Sequence, residues 1–343
     1  MPKRTYIHQM LIRTKHSLKI GIVGPCRAGK SSLVKSLTEQ LIIPNLDDDE
    51  LLNEIPSQLP TIRSGREIAT KETVYVPKEC VEVDLIPEEK TLMQIIEFVG
   101  CRTHGMKGYA NINDSNTNLA EKTNEKGLFE ELFEGVLESL FEENNSVITE
   151  DDALTNEADI VFIVTSDGTI GTIPHRYAFV DAERTSLAQV KKPHIMLLNS
   201  SCPEDEKTKE LASELNNMYK IPVIPVSVCD LTKEKIYYLL ETMFYEFPYE
   251  EVDLDIPEWL IKLEETHPIR KEITGFFIET MKEFTSYSRL GKVMQKLCSS
   301  SFIDKVEVID NNTEEGLLKL ELTLSAALEK QYNSNSKKKQ NKS

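Results

Sequence analysis

The 343-residue chain has no run approaching about 18 apolar residues, the length a membrane helix requires, so no transmembrane segment is expected. Met1 to Lys19 carries basic residues but no apolar stretch, which argues against a secretory signal. The six cysteines (Cys26, Cys80, Cys101, Cys202, Cys229 and Cys298) make no CxxC pair. Neither they nor the six histidines show zinc-ligand spacing. The chain is too long for a disulfide scaffold, and reduced thiols in a cytoplasmic protein are the expectation. Positive charge is in deficit: 40 Lys and Arg stand against 57 Asp and Glu, a formal net charge of −17. That balance excludes a general nucleic-acid binder, which needs basic surface to meet phosphates. Tryptophan occurs once, at Trp259 just after Pro257, where it is expected to anchor a helix. No internal repeat is visible.

What is present suffices for an ordinary core, with 40% hydrophobic residues, and the length suggests two domains at about 150 residues each. Short apolar runs at 19–23, 92–99, 160–165, 194–199 and 223–228 read as buried strands. Helical periodicity lies at 31–41, 178–190 and 204–219. Strands alternating with helices predict an α/β fold with a doubly wound, mostly parallel sheet. In such sheets ligands sit beyond the C-terminal ends of the strands. A polar stretch at 111–126 reads as a loop, and 128–141 as a surface helix with one apolar stripe. After Pro248 the alternation stops. Helical pattern over 256–297, broken at His267-Pro268, precedes two candidate strands at 305–309 and 317–323. The expected division is 1–248, a smaller α+β unit at 249–330, and a polar, basic, disordered tail at 331–343.

One motif carries chemistry. Gly24-Pro25-Cys26-Arg27-Ala28-Gly29-Lys30-Ser31 fits the Walker A pattern GxxxxGK[ST], between a predicted strand and a predicted helix. Backbone N–H groups of such a loop, Ser32 included, cradle phosphates, and the helix dipole favours negative charge there. Lys30 is the point charge for the β- and γ-phosphates, and Ser31 offers its hydroxyl to Mg²⁺. Arg27, inside the loop, reads either as a phosphate contact or as filler.

Glu97 ends the second strand, three residues before Gly100. Many phosphate-loop proteins place Asp-x-x-Gly there: the acid supports Mg²⁺ and the glycine amide senses the γ-phosphate. Glu is longer by one methylene, about 1.5 Å of reach. Mg²⁺ demands near-ideal octahedral geometry, so the change is not neutral. Glu97 can hold the metal through water, act on the attacking water, or be a relic of lost activity. Guanine-selective proteins of this architecture follow the fourth strand with Asn-Lys-x-Asp. Here the residues are Asn199-Ser200-Ser201-Cys202, and a thiol cannot accept two N–H bonds as a carboxylate can. ATP is therefore the expected nucleotide, with Asn199 beside it. Asp167 either positions nearby segments or caps the Gly168 turn; His104 lies where some translation GTPases orient water, and otherwise reads as an incidental loop residue.

In order along the chain, several blocks resemble the stage IV sporulation protein A family of endospore-forming bacteria. They are GIVGPCRAGKSS at 21–32, Gly65-Arg66-Glu67-Ile68-Ala69-Thr70, Glu97-Phe98-Val99-Gly100 and Gly105-Met106-Lys107-Gly108-Tyr109. Thr165-Ser166-Asp167-Gly168-Thr169-Ile170-Gly171, Lys192 to Ser200 and Tyr245-Glu246-Phe247-Pro248 complete the set. The resemblance covers nearly the whole chain to about residue 329. It implies a translation-factor-like phosphate-loop fold and an ATPase whose cycle drives self-assembly of a coat basement layer. That layer lies on the forespore surface, on the mother-cell cytoplasmic side. Coat proteins and a small membrane-bound recruiting peptide are the implied partners.

The resemblance maps Lys30 and Ser31 to phosphate and Mg²⁺ binding, and Glu97 to an acid that is Asp in the family. It maps Thr70 and Lys71 to a pair of nucleotide-sensing threonines, of which only Thr70 is kept. The resulting site is Lys30, Thr70 and Glu97 as catalytic residues, with Ser31, Thr70 and Glu97 toward the metal. Residues 24–32, Gly100 and Asn199 line the nucleotide. The family also continues beyond the length of this chain, so a short divergent member is expected. A non-hydrolysing scaffold that binds nucleotide is the alternative, and a GTPase switch a third reading.

Overall fold

Alternating apolar runs and amphipathic segments assemble around a six-stranded sheet in the computed structural model, which describes residues 3–61, 72–87, 89–101, 155–170, 176–326 and 328. The first elements are helix α1 (Lys3–Arg13), strand β1 (Ser17–Val23), helix α2 (Lys30–Leu37) and helix α3 (Asp49–Gln58). Strands β2 (Val74–Ile86) and β3 (Glu89–Glu97) form a hairpin, followed by β4 (Ile160–Ser166), helix α4 (Val180–Ala188) and β5 (His194–Asn199). Helix α5 (Glu206–Tyr219), β6 (Val223–Val226) and helix α6 (Lys233–Phe244) complete this layer.

The sheet order is β2-β3-β1-β4-β5-β6. β1 pairs in parallel with β3 and β4, as β4 does with β5 and β5 with β6; β2 alone runs antiparallel. All seven β4 residues are buried, as expected of a central strand covered on both faces. One face packs Ile20, Ile22, Phe162, Val164 and Leu197 under α2 and α6; the other packs Val161, Ile163, Met196 and Leu198 toward α5.

A second, three-stranded sheet follows. β7 (Glu251–Asp255) pairs in parallel with β9 (Leu317–Leu324), and β8 (Ile303–Asn312) pairs antiparallel with β9. Short helix α7 (Glu258–Ile261), α8 (Pro268–Lys282) and α9 (Leu290–Cys298) cover one face through Leu260, Ile273, Phe277, Val293 and Leu297. β9 alternates buried leucines, Leu318, Leu320, Leu322 and Leu324, with more accessible Lys319, Glu321 and Thr323, a one-sided antiparallel pattern.

Several sequence expectations are corrected. The first nineteen residues hold α1, whose Ile7, Met10 and Leu11 are buried in the main core. Its mixed composition hides a short apolar stripe. β2 is absent from the sequence expectation: Pro77, Lys78, Glu79 and Glu82 interrupt its apolar pattern, as befits a strand at the sheet edge with a shifted register. β7 is absent from it too, because it alternates Glu251, Asp253 and Asp255 with only two apolar residues. The helix expected over 31–41 ends at Leu37 and continues as a π-turn over Thr38–Ile42. The loop at 111–126, the helix at 128–141 and the tail at 331–343 lie outside the described residues. Among those described, no helix is long and apolar enough to cross a membrane, and the six cysteines are free thiols.

Candidate functional site

The loop between β1 and α2 is built by two backbone requirements. Gly29 stands at φ 107°, a left-handed geometry that β-carbon sterics disfavour, and caps α2. A side chain there would also strike the Asn199 amide. The first-turn amides of α2 have no carbonyl ahead of them to bind, so they present N–H groups toward the loop. Amide donors at a helix N-terminus are suited to an anion.

Lys30 is 6% exposed, and its ammonium donates to Gly24 O at 3.1 Å and to Pro25 O at 3.0 Å. An ammonium carries three donors. Two hold the side chain back across its own loop, leaving one for a ligand. Gly100 packs against the same ammonium so closely that a β-carbon at position 100 would run into Nζ. The strand-end residues continue the pairing of β1 and β3: Cys26 N donates to Cys101 O at 2.7 Å, and Cys101 N to Gly24 O at 3.2 Å. The Cys26 thiol donates to Gly100 O at 3.0 Å. Gly100 and Cys101 thus lie directly on the loop.

Ser31 Oγ donates to Glu97 Oε1 at 2.8 Å, and Glu97 is 1% exposed. The extra methylene of Glu97 therefore still delivers a carboxylate oxygen to the serine hydroxyl. A part-buried hydroxyl and a buried carboxylate beside a loop of amides are hard oxygen donors, the set Mg²⁺ favours. Among the described residues no group of three or more His, Cys, Asp or Glu side chains could hold a metal by itself. A metal here needs phosphate and water oxygens to complete its sphere.

Asn199 stands behind the loop. Its Nδ2 donates to Ala28 O at 2.9 Å, and its Oδ1 accepts from Val228 N at 3.2 Å. Both ends of the amide, 1% exposed, are engaged in the protein, so Asn199 straps the loop to the segment after β6. Ser36 Oγ donates to Val228 O from the other side. Val228 as a brace is not foreseen from the sequence; its only signal is the apolar run of β6 continuing two residues past the strand. Asp167 caps its own turn, with Oδ1 accepting from Thr169 N at 2.9 Å and Thr169 Oγ1 at 2.6 Å. Thr169 Oγ1 in turn accepts from Ser201 N at 3.0 Å, tying together the loops that follow β4 and β5.

Beside the site, Glu183 of α4 is fully buried and gathers Thr165 Oγ1, Arg176 Nη2 and Tyr219 Oη. Burial first, then the Glu183 charge, pushes the Tyr219 hydroxyl far above its ordinary value, so it remains a donor. This network anchors α4, whose Ser186 donates to Cys101 Sγ at 3.5 Å. The structure therefore brings together residues 24–32, Glu97, Gly100 and Asn199. Thr70, Lys71 and His104 lie outside the described residues.

Comparison with known proteins gives the family. Residues 1–248 match the family model described as the ATPase domain of stage IV sporulation protein A. Residues 249–338 match the model for its middle domain. The stage IV sporulation protein A of Bacillus anthracis is 28% identical over 313 residues, covering 90% of this chain and 61% of the relative. Those of Clostridioides difficile (strain 630) and Bacillus subtilis (strain 168) are each 26% identical, with the same coverage. The chain thus spans 61% of the length of the relatives it matches. Two family models in sequence order, and relatives aligned over nine tenths of the chain, lead to one conclusion: this chain belongs to the stage IV sporulation protein A family.

Proposed function

We propose that the chain binds ATP with Mg²⁺ in the loop of residues 24–32 and hydrolyses it, and that this cycle drives its self-assembly into a coat basement layer on the forespore surface. The observation that carries the reading is the convergence of a pinned Lys30, a Ser31–Glu97 hydrogen bond and the Gly100 backbone on one loop of amides. In this reading the α2 amides and the remaining Lys30 donor take the phosphates. Ser31 and Glu97 hold Mg²⁺, which when bound neutralises charge developing on the phosphates. Gly100 faces the terminal phosphate, and Thr70 senses the nucleotide. Asn199 and Val228 keep the loop rigid. The missing base-reading carboxylate at Cys202 favours ATP over GTP.

The nucleotide module is residues 1–248, and the smaller unit at 249–330 receives its conformational signal. Self-contacts, coat proteins and a small membrane-bound recruiting peptide are the proposed partners, and the mother-cell cytoplasm the proposed location. The test is phosphate release from ATP and GTP with Mg²⁺, with light scattering in the same cuvette. The reading expects ATP-specific release and a parallel rise in scattering, both lost in Lys30→Ala. Nucleotide binding without release from the wild-type chain would leave a non-hydrolysing scaffold in its place.

A further inference from the structure

Where α1, the end of α6 and the small sheet meet there is a cavity of about 440 Å³. It falls in the size range of ligand pockets, and such pockets favour junctions between modules. Five rings line it: Tyr6, Phe244, Tyr245, Tyr249 and Tyr287. They form a continuous cluster, with Tyr6–Tyr245 centroids 5.4 Å apart, Phe244–Tyr287 5.3 Å and Tyr249–Tyr287 4.5 Å. Gln9, Asn311 and Thr313 add neutral polar groups, and among the described residues no lysine or arginine lines the space.

The same cluster already holds a guanidinium. Arg13 sits 5.8 Å from the centroids of both the Phe247 and Tyr287 rings. Its donors go to Tyr287 Oη, to Pro248 O at 3.1 Å and to Glu250 Oε1 at 2.6 Å, so its charge is matched by Glu250 within the joint. Two carboxylates act on the cavity tyrosines. The Tyr6 hydrogen bond, burial and the Glu241 charge push Tyr245 up to about 12. Burial, with the neighbouring Tyr249 and Glu250, raises Tyr287 despite the opposing Arg13 charge. Electron-rich ring faces and the Glu241 carboxylate, with Arg13 already paired to Glu250, make a surface for positive charge.

We propose that this cavity binds an organic cation of the alkylguanidinium or alkylammonium type, its charged head over the Tyr245 and Tyr249 rings and its alkyl stem along Phe244 and Leu290. The cation can come from a free amine or from the side chain of a peptide; the chemistry recognised is the same. A ligand there touches α1, α6 and the small sheet at once and so braces the junction. This site is independent of the nucleotide reading, since no residue of the loop at 24–32 takes part.

The test is calorimetric titration of the whole chain, without nucleotide, using agmatine, the tripeptide Gly-Arg-Gly and, as the uncharged control, pentanol. Saturable binding of agmatine with no heat from pentanol is expected, and binding of the tripeptide identifies a side chain as an acceptable source. Tyr245→Ala and Glu241→Gln should each weaken agmatine about tenfold, the loss of one desolvated cation–π contact or one nearby charge. Tyr249→Phe, which keeps the ring and the packing, should bind nearly as the wild type does. Absence of saturable binding by either cation at millimolar concentration, or binding unchanged in Tyr245→Ala, overturns the proposal. If Tyr245→Ala unfolds, Glu241→Gln, which leaves the rings intact, takes its place: agmatine binding unchanged in that variant overturns the proposal equally.

Discussion

At the scale of single residues, the site depends on side chains whose polar atoms are already engaged in the protein. Asn199 is the clearest case: its amide bridges Ala28 O and Val228 N, both buried with it. Asn199→Ala leaves those two backbone groups without partners, at a cost of about 1–3 kcal/mol each in the less favourable case. A lower urea midpoint together with weaker nucleotide binding is the expected result. Unchanged binding would place the loop's rigidity elsewhere. Glu97→Gln keeps the shape of the side chain and removes its charge. It should weaken nucleotide binding with Mg²⁺ by about tenfold or more while leaving binding in EDTA nearly unchanged, because hard cations need the anionic oxygen. Calorimetry with and without metal reads the difference.

The loop with Lys30 and Ser31 is legible in the sequence because its spacing is fixed by local geometry: strand, glycine turn, helix. That Glu97 still reaches Ser31 Oγ at 2.8 Å is not legible there, since it depends on the register of β1 against β3. Nor is the placement of Asn199 at the loop's underside, because a tertiary contact across 171 residues leaves no local pattern.

Among the elements, α1 is the one whose role the sequence conceals. It lies against α6, buries Met10 and Leu11, and ends in Arg13, which reaches Pro248, Glu250 and Tyr287 across the junction with the small sheet. Gly316 belongs to the same joint: a side chain there would run into the Arg13 guanidinium. Arg13→Ala should cost about 2–3 kcal/mol, typical for loss of charge-assisted hydrogen bonds, and a urea titration measures it.

The joint also predicts a pH response. Burial chiefly raises the Tyr287 hydroxyl from 10.0 to about 12. The unfolded chain therefore loses this proton first. Stability from this group is complete below pH 10 and declines as pH climbs toward about 12. Urea midpoints at pH 9 and 11 should diverge, and Tyr287→Phe should narrow the gap. An equal gap in the variant would assign the response to other groups. The strands legible in the sequence are the fully buried parallel ones, β1, β4 and β5, whose apolar runs need no context. Those hidden in it, β2 and β7, are edge strands whose charges are tolerated because one side meets water.

For the whole molecule, the two sheets are joined by more than the chain that connects them. Tyr287 N donates to Phe247 O at 3.0 Å, Ser288 N to Tyr245 O at 2.8 Å, and Glu250 N to Gly316 O at 2.8 Å. Helix α6 begins just after the Val228 segment that braces the loop of residues 24–32 and ends at Phe244 in this joint. In the proposed cycle, a change at that loop has α6 as a continuous element along which to reach the small sheet. Scanning calorimetry should show one transition for the wild-type chain and two for Arg13→Ala, in which the modules unfold separately. A charge of −17 adds self-repulsion that any assembly must overcome, so assembly should strengthen with salt.

Turnover of ATP at the loop of residues 24–32 is the step on which the proposed assembly cycle rests. The most direct measurement of it is single-turnover phosphate release from ATP with Mg²⁺, the wild-type chain beside Lys30→Ala. Release from the wild type and none from the variant is the predicted result. Equal release from both, or none from a wild-type chain that demonstrably binds ATP, would contradict it.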